Sequence, residues 1–204
     1  MSPDHIGGVG ILLAAGRSVR MQGRDKRWLP VGEVPMALRV AQVFAAVPFA
    51  RRLAVVRPDD AALAREFARL SFESLINPDP DRGRFSSLAC AWSALSEAAP
   101  VMVSVADLPE LTVGLLQDLW QRFCEMGPEA ILIPRYQGRW GHPRCLGRRH
   151  VAALMARGGR ESVPAYLAAN PHLIQFWNVK DPAVVRDVDT PDAYNAVCRR
   201  WHHA

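Results

Sequence analysis

The sequence predicts an α/β fold of three layers, with helices on both sides of a doubly wound, mostly parallel sheet. Two observations carry this prediction. Short runs rich in aliphatic residues alternate with amphipathic stretches along all 204 residues. The runs at 9–15, 53–56 and 101–105 are almost wholly apolar, as strands covered on both faces must be. Neither an internal repeat nor a low-complexity linker breaks the pattern, so residues 1–204 read as a single domain.

In order along the chain, Val9 to Ala15 is a central strand that ends on Gly16. Residues 16–34 form a long Gly, Arg and Lys-rich loop, and so long a loop in a compact domain is usually functional. Met36 to Val47 is a helix with Pro35 at its first turn. Leu53 to Val56 is a strand, and Asp59 or Asp60 caps a helix through Leu70. Ser74 to Ile76 is a short strand running into the turn Asn77-Pro78-Asp79-Pro80. Ser86 or Ser87 caps a helix to about Ala98. Val101 to Val105 is a buried strand ending at Ala106-Asp107-Leu108-Pro109, and Thr112 caps a helix to Met126. Ala130 to Ile133 is a strand, and the glycines and proline of 135–147 give a loop or hairpin. Helices follow at 148–157 and 163–169, then a strand from Leu173 to Val179 and a last short one from Val184 to Val188. Thr190 caps a C-terminal helix with Pro191 at its first position.

Composition narrows the partners. Apolar residues make up 50% of the chain, enough for a sizeable core. No apolar stretch approaches the roughly 20 residues that cross a bilayer. Met1 to His5 lacks the basic start of a secretory leader, so a cytoplasmic protein without a membrane partner is expected. A formal charge of +5 suits an anionic ligand. The arginines are scattered, with no run of five and no interleaved aromatics, so a plain basic surface or a phosphate-rich small ligand is expected rather than nucleic acid. Cys90, Cys124, Cys145 and Cys198 lie far apart and form no C-x-x-C pair, which fits free thiols in a reducing compartment.

Open α/β sheets bind ligands outside the carboxyl ends of their strands. That rule selects the loop after Ala15, the turn at Asn77 and the turn at Asp107. The first loop is neither a Walker A loop nor G-x-G-x-x-G. Gly7, Gly8 and Gly10 sit at the start of the strand, on the wrong side for a dinucleotide fingerprint. The loop nevertheless has the physics of a phosphate site. After Leu13, the small residues Ala14, Ala15 and Gly16 let the backbone approach a ligand closely, and free N–H groups can face an anion. Arg17, Arg20 and Lys26 add three cations that can converge on a polyphosphate.

Five elements in order resemble a known family. They are Leu13-Ala14-Ala15-Gly16-Arg17-Ser18-Val19-Arg20-Met21 with Lys26 and Leu29-Pro30, then Asn77…Gly83-Arg84-Phe85-Ser86-Ser87-Leu88, then the strand ending Asp107-Leu108-Pro109. Gly141-His142-Pro143 and Asp187-Val188-Asp189-Thr190-Pro191-Asp192 complete the set. Together they resemble the molybdenum cofactor nucleotidyltransferases, of the pyrophosphorylase group with a glycosyltransferase-A-like fold. The Ala14-Ala15-Gly16 step is similar to that of the cytidylyl-transferring branch.

The resemblance implies Mg²⁺-dependent transfer of CMP from CTP to the phosphate of molybdopterin or its molybdenum form, with release of pyrophosphate and delivery to a molybdoenzyme client. It places Mg²⁺ on Asp107, with Asp189 as a second carboxylate, and the nucleotide on residues 13–16, Ser18, Asn77, Ser86 and Ser87. It turns Gly141, His142 and Pro143 to the acceptor. GTP as donor, another phosphorylated acceptor, and a non-catalytic cofactor carrier are the alternatives. The chemistry asks for cations and a metal rather than a base, because a phosphomonoester with a second pKa of about 6 is already ionised at neutral pH. Departures from the family's pattern are Ala106 where glycine is common, Gln22 inserted before Gly23, and Arg27-Trp28 after Lys26.

Overall fold

The computed structural model describes residues 7–127, 129–157 and 161–202. Met1 to His5, expected to carry no secretory leader, lie outside them. Among the described residues there are ten strands: β1 (Val9–Leu13), β2 (Pro30–Val31), β3 (Val34–Pro35), β4 (Arg51–Val56), β5 (Glu73–Ile76), β6 (Val101–Val105), β7 (Ile131–Tyr136), β8 (Arg139–Trp140), β9 (Arg144–Leu146) and β10 (Ile174–Asn178). Seven α-helices accompany them: α1 (Met36–Ala45), α2 (Ala61–Arg69), α3 (Arg84–Ser93), α4 (Val113–Met126), α5 (Arg148–Ala156), α6 (Val163–Ala169) and α7 (Pro191–His202).

The main sheet runs β10-β7-β9-β6-β1-β4-β5, with β8 attached to β7. The pairs β1/β4, β1/β6, β4/β5 and β7/β10 are parallel, and β9 lies antiparallel between β6 and β7. The chain moves outward from β1 to β4 and β5, then returns to place β6 on the other side of β1. That reversal opens a crevice at the carboxyl ends of β1 and β6, where such sheets take ligands. α1 packs with α2 and α4, and α3 packs with α5, so helices flank the sheet. Ile11, Leu12, Leu53, Ala54, Val55, Val101, Met102, Ile131 and Ile133 are buried in the layer between them. No described helix is long and apolar enough to cross a membrane.

The early glycines have a packing role. A Cβ on Gly8 would stand 2.3 Å from the Trp120 ring and one on Gly10 2.5 Å from Phe49. Those two rings meet edge to face at 5.0 Å, so the bare backbone of β1 makes room for an aromatic pair.

Several expected elements shift. Residues 16–34 hold two 3-10 turns and the β2–β3 hairpin rather than plain loop. α3 starts at Arg84 after Gly83 and stops at Ser93, so neither Ser86 nor Ser87 caps it. Asp60 precedes α2 without capping it, because its carboxylate is committed to Arg27 and Arg57. The expected strand at Val184 to Val188 is a 3-10 turn, Pro182–Val185, opened by Pro182 and by Asp181, which accepts from the Ala183 N–H at 2.9 Å. Thr112 and Thr190 do cap their helices, accepting from Leu115 and Ala193. All four cysteines are free thiols.

Candidate active site

Three turns meet at the crevice. The first follows β1, where Ala14 N–H donates to Val55 and Ala106 N–H donates to the Leu13 carbonyl, locking the turn between its neighbours. Ser18 and Gln22 then adopt left-handed backbone with φ of 53°, a conformation uncommon outside glycine. The bend folds Arg20 and Lys26 back over the sheet edge, and the Ser18 hydroxyl accepts from the Lys26 N–H at 3.2 Å. The second turn follows β6 and carries Asp107. The third precedes α7 and carries Asp187 and Asp189; Val188 N–H donates to the Asp107 carbonyl at 2.9 Å, holding the two acidic turns side by side.

These turns enclose a cavity of about 330 Å³. Of the residues expected at the site, Leu13, Ala14, Ala15, Gly16, Arg17, Ser18, Arg20, Lys26, Ser87, Asp107 and Asp189 all line it. The Lys26 ammonium bridges Asp107 at 2.5 Å and Asp189 at 2.6 Å, and Arg20 pairs with the other Asp189 oxygen. Burial works to raise the Asp189 pKa, but the hydrogen bond and charge of Lys26, with Arg20, bring it below the usual carboxylate value. Asp187 moves the other way: burial and the charges of Asp107 and Asp189 raise it. At the mouth, Arg17 grips Asp81 through two contacts of 2.5 and 2.9 Å.

Asn77 takes a different position from the one expected. It is fully buried and outside the cavity wall. Its amide donates to the Ser86 hydroxyl at 2.9 Å and the Ser87 hydroxyl at 3.0 Å, while its carbonyl accepts from Asp79 N–H at 3.0 Å. Ser86 donates onward to the backbone of Asp79 and Gly83 and is likewise off the wall. Asn77 and Ser86 therefore form a frame, and Ser87 is the hydroxyl that reaches the cavity.

Arg27 also lines the cavity, though the sequence marks it only as a departure from the family's pattern. It is 2% exposed. Nε and Nη2 donate to Asp25, both terminal nitrogens donate to Asp60, and Nη1 donates to the Ala14 carbonyl at 2.7 Å. All five guanidinium hydrogens are thus used. The only sequence signal was a charge following Lys26; its partners Ala14 and Asp60 come from the turn after β1 and the turn before α2.

A divalent cation fits the acidic turns. Asp107 Oδ1 is buried with no hydrogen-bond partner, and Asp187 is raised first by burial and then by the nearby charges of Asp107 and Asp189. Among the described residues no group of three or more His, Cys, Asp or Glu is arranged to hold a metal alone. Two carboxylates completed by phosphate oxygens is the coordination that Mg²⁺ commonly takes.

Beside this cavity lies a second one of about 130 Å³, lined in part by Arg84, Arg139, Trp140, His142, Arg144 and Asp187. His142 reaches it, whereas Gly141 and Pro143 do not. Burial, then the charges of Arg144 and Arg84, push His142 down to about 3, and its Nδ1 is shut off from any partner. The imidazole is therefore neutral at physiological pH. Arg84, Arg139 and Arg144 were not singled out from the sequence, because single arginines in a basic chain carry no signal.

Comparison with known proteins gives the family of the chain. A curated protein named as a probable molybdenum cofactor guanylyltransferase, from Natronomonas pharaonis, is 32% identical over 113 residues, 55% of this chain and 55% of that protein. The match thus spans about half the length of that relative. The crystal structure of Rv0371c from Mycobacterium tuberculosis H37Rv has a TM-score of 0.79 at 25% identity, covering 95% of this chain and 97% of that one. A manganese complex of the same protein has a TM-score of 0.75 at 23% identity, covering 95% and 98%. A family model described as the MobA-like NTP transferase domain matches residues 10–173. That span takes in the glycine turn, Asn77, Asp107 and the Gly141-His142-Pro143 turn, and by it the chain belongs to the family of MobA-like NTP transferase domains.

Proposed function

We propose that the protein transfers a nucleoside monophosphate from an NTP to a phosphorylated acceptor, with CTP as donor and a molybdopterin-type phosphate as acceptor. The observation that carries this reading is the convergence of Lys26, Arg20, Asp107 and Asp189 on the cavity behind the glycine turn. The turn offers small residues and backbone N–H groups to the phosphates. Arg17, Arg20 and Lys26 neutralise the triphosphate, and Ser87, held by Asn77, presents a hydroxyl toward the base or ribose. Asp107 and Asp189 would hold Mg²⁺, which when bound supplies charge for the departing pyrophosphate. The neutral His142 neither takes nor gives a proton, in keeping with an acceptor that is already ionised.

The donor base rests on the Ala14-Ala15-Gly16 step. A second reading, GTP as donor, is favoured by the guanylyltransferase name of the Natronomonas relative. Pyrophosphate release with each of the four NTPs, Mg²⁺ and molybdopterin separates the two. Release with CTP well above the rest supports cytidylyl transfer; release with GTP alone ends that claim. Stoichiometric binding of molybdopterin with no release from any NTP would favour the carrier alternative.

A further inference from the structure

The two cavities share a wall. Among the described residues only Arg84 and Val105 line both, so Arg84 is the one charged side chain common to them. It opens α3 directly after Gly83. Its single ion pair among the described residues is with Asp187 at 4.0 Å, beyond hydrogen-bond reach. Its planar fork of donors is therefore unspent. The second cavity also holds Arg139 and Arg144, each making one weak bond, to the Val185 carbonyl at 3.4 Å and the Gly141 carbonyl at 3.3 Å. Three guanidiniums share the single carboxylate of Asp187, which leaves the cavity with an excess of positive charge. Burial lowers the Arg144 pKa, and the charge of Arg84 lowers it further.

Joining two phosphates forces two anions together. A cation that touches only one of them offsets half of that repulsion, whereas a bidentate guanidinium at the junction can serve both. We propose that Arg84 is a further catalytic residue, donating at once to the α-phosphate of the NTP in the larger cavity and to the acceptor phosphate in the smaller one. The proposal rests on the transfer reading above. In the step itself, an acceptor phosphate oxygen forms a bond to the α-phosphorus. The bond from that phosphorus to the bridging oxygen breaks, and its electron pair leaves with pyrophosphate. The acceptor enters as a dianion, so no proton is transferred, and Arg84 remains a cation throughout.

The test compares a junction residue with residues that line one cavity alone: Arg17 in the larger, Arg144 in the smaller. Calorimetry on the full chain would measure binding of the α,β-methylene analogues of CTP and GTP with Mg²⁺. It would then measure inorganic phosphate binding to the nucleotide-loaded protein. Arg17→Gln should weaken the analogue alone and Arg144→Leu phosphate alone. Arg84→Gln should weaken both, by about tenfold each. Arg84→Lys should recover one ligand but not both, because an ammonium has no fork. The idea is overturned if Arg84→Gln leaves either affinity at the wild-type value, or if the loaded wild type binds no phosphate. A wild type that binds neither analogue brings down the transfer reading itself. Normal nucleotide binding with a silent Arg84→Gln brings down only the role of Arg84.

Discussion

At the scale of single residues, the site depends on two buried cations with different tasks. Arg27 is a structural clamp: its fork holds the Ala14 carbonyl at the end of β1 and fixes the turn that carries Lys26. Arg27→Leu leaves Asp25 and Asp60 with Arg57 as their remaining cationic partner. Denaturant unfolding should show a loss of about 3 kcal/mol, the lower end for a broken buried pair, since Arg57 compensates in part. A loss under about 1 kcal/mol would mean that the clamp contributes little. Lys26 has a second role as a resident cation between Asp107 and Asp189. Lys26→Met should tighten Mn²⁺ binding by the nucleotide-free protein by about tenfold, as two carboxylates lose their neutralising partner. The same variant should turn over 10²–10³-fold more slowly, roughly the effect of losing one preorganised charge stabiliser. Unchanged Mn²⁺ affinity by titration calorimetry would remove the ammonium from competition with the metal. The glycine turn was legible in the sequence because an apolar run that ends on small residues marks both a buried strand and the open turn at its carboxyl end. Arg27 was not, since its meaning lies in Asp60 and Ala14, which only the fold brings to it.

At the scale of elements, the stretch from β8 to β9 was the least legible and is functionally exposed. β9 is three residues long and includes Arg144, so no periodicity marks it as an inner strand of the sheet. The turn before it presses on the 3-10 turn at Pro182–Val185: a Cβ on Gly141 would meet the Val184 carbonyl oxygen at 2.7 Å and its Cβ at 2.8 Å. Backbone cannot yield as a side-chain tip does. Gly141→Ala should therefore cost about 1–3 kcal/mol in thermal or chemical unfolding; a neutral effect would show that the contact relaxes freely. His142 makes the same element sensitive to acid. The folded state holds it near 3, while the unfolded chain titrates near 6.5. Between those values the unfolded state binds the proton and the folded state does not, so stability falls as pH drops below about 6.5. Wild type should lose up to about 1.4 kcal/mol per pH unit more than His142→Gln over pH 6 to 4. Parallel stability curves for the two proteins would show that the folded state does not hold this imidazole neutral.

At the scale of the molecule, the alternation of apolar runs and amphipathic stretches was enough to give a doubly wound sheet, because each crossover has to return to a parallel neighbour. It did not give the antiparallel β9, nor the way β6 returns beside β1 to form the crevice. That crevice gathers charge from Arg17, Arg20, Lys26, Arg84, Asp107 and Asp189, so the ligand would tie together parts of the chain that otherwise meet through a few ion pairs and backbone hydrogen bonds. Mass action then makes folding stability a measure of the site. At 100 times its dissociation constant, a ligand that binds only the folded state adds about 2.7 kcal/mol. For a chain of this size that corresponds to a melting shift of about 5–10 °C. The NTP with Mg²⁺ should produce a shift of this order. Mg²⁺ alone should give far less, because Lys26 already bridges the two carboxylates it would need. A full shift from Mg²⁺ without nucleotide would mean that the acidic turns form a complete metal site unaided. A shift from neither would mean that the cavity behind the glycine turn does not bind the triphosphate.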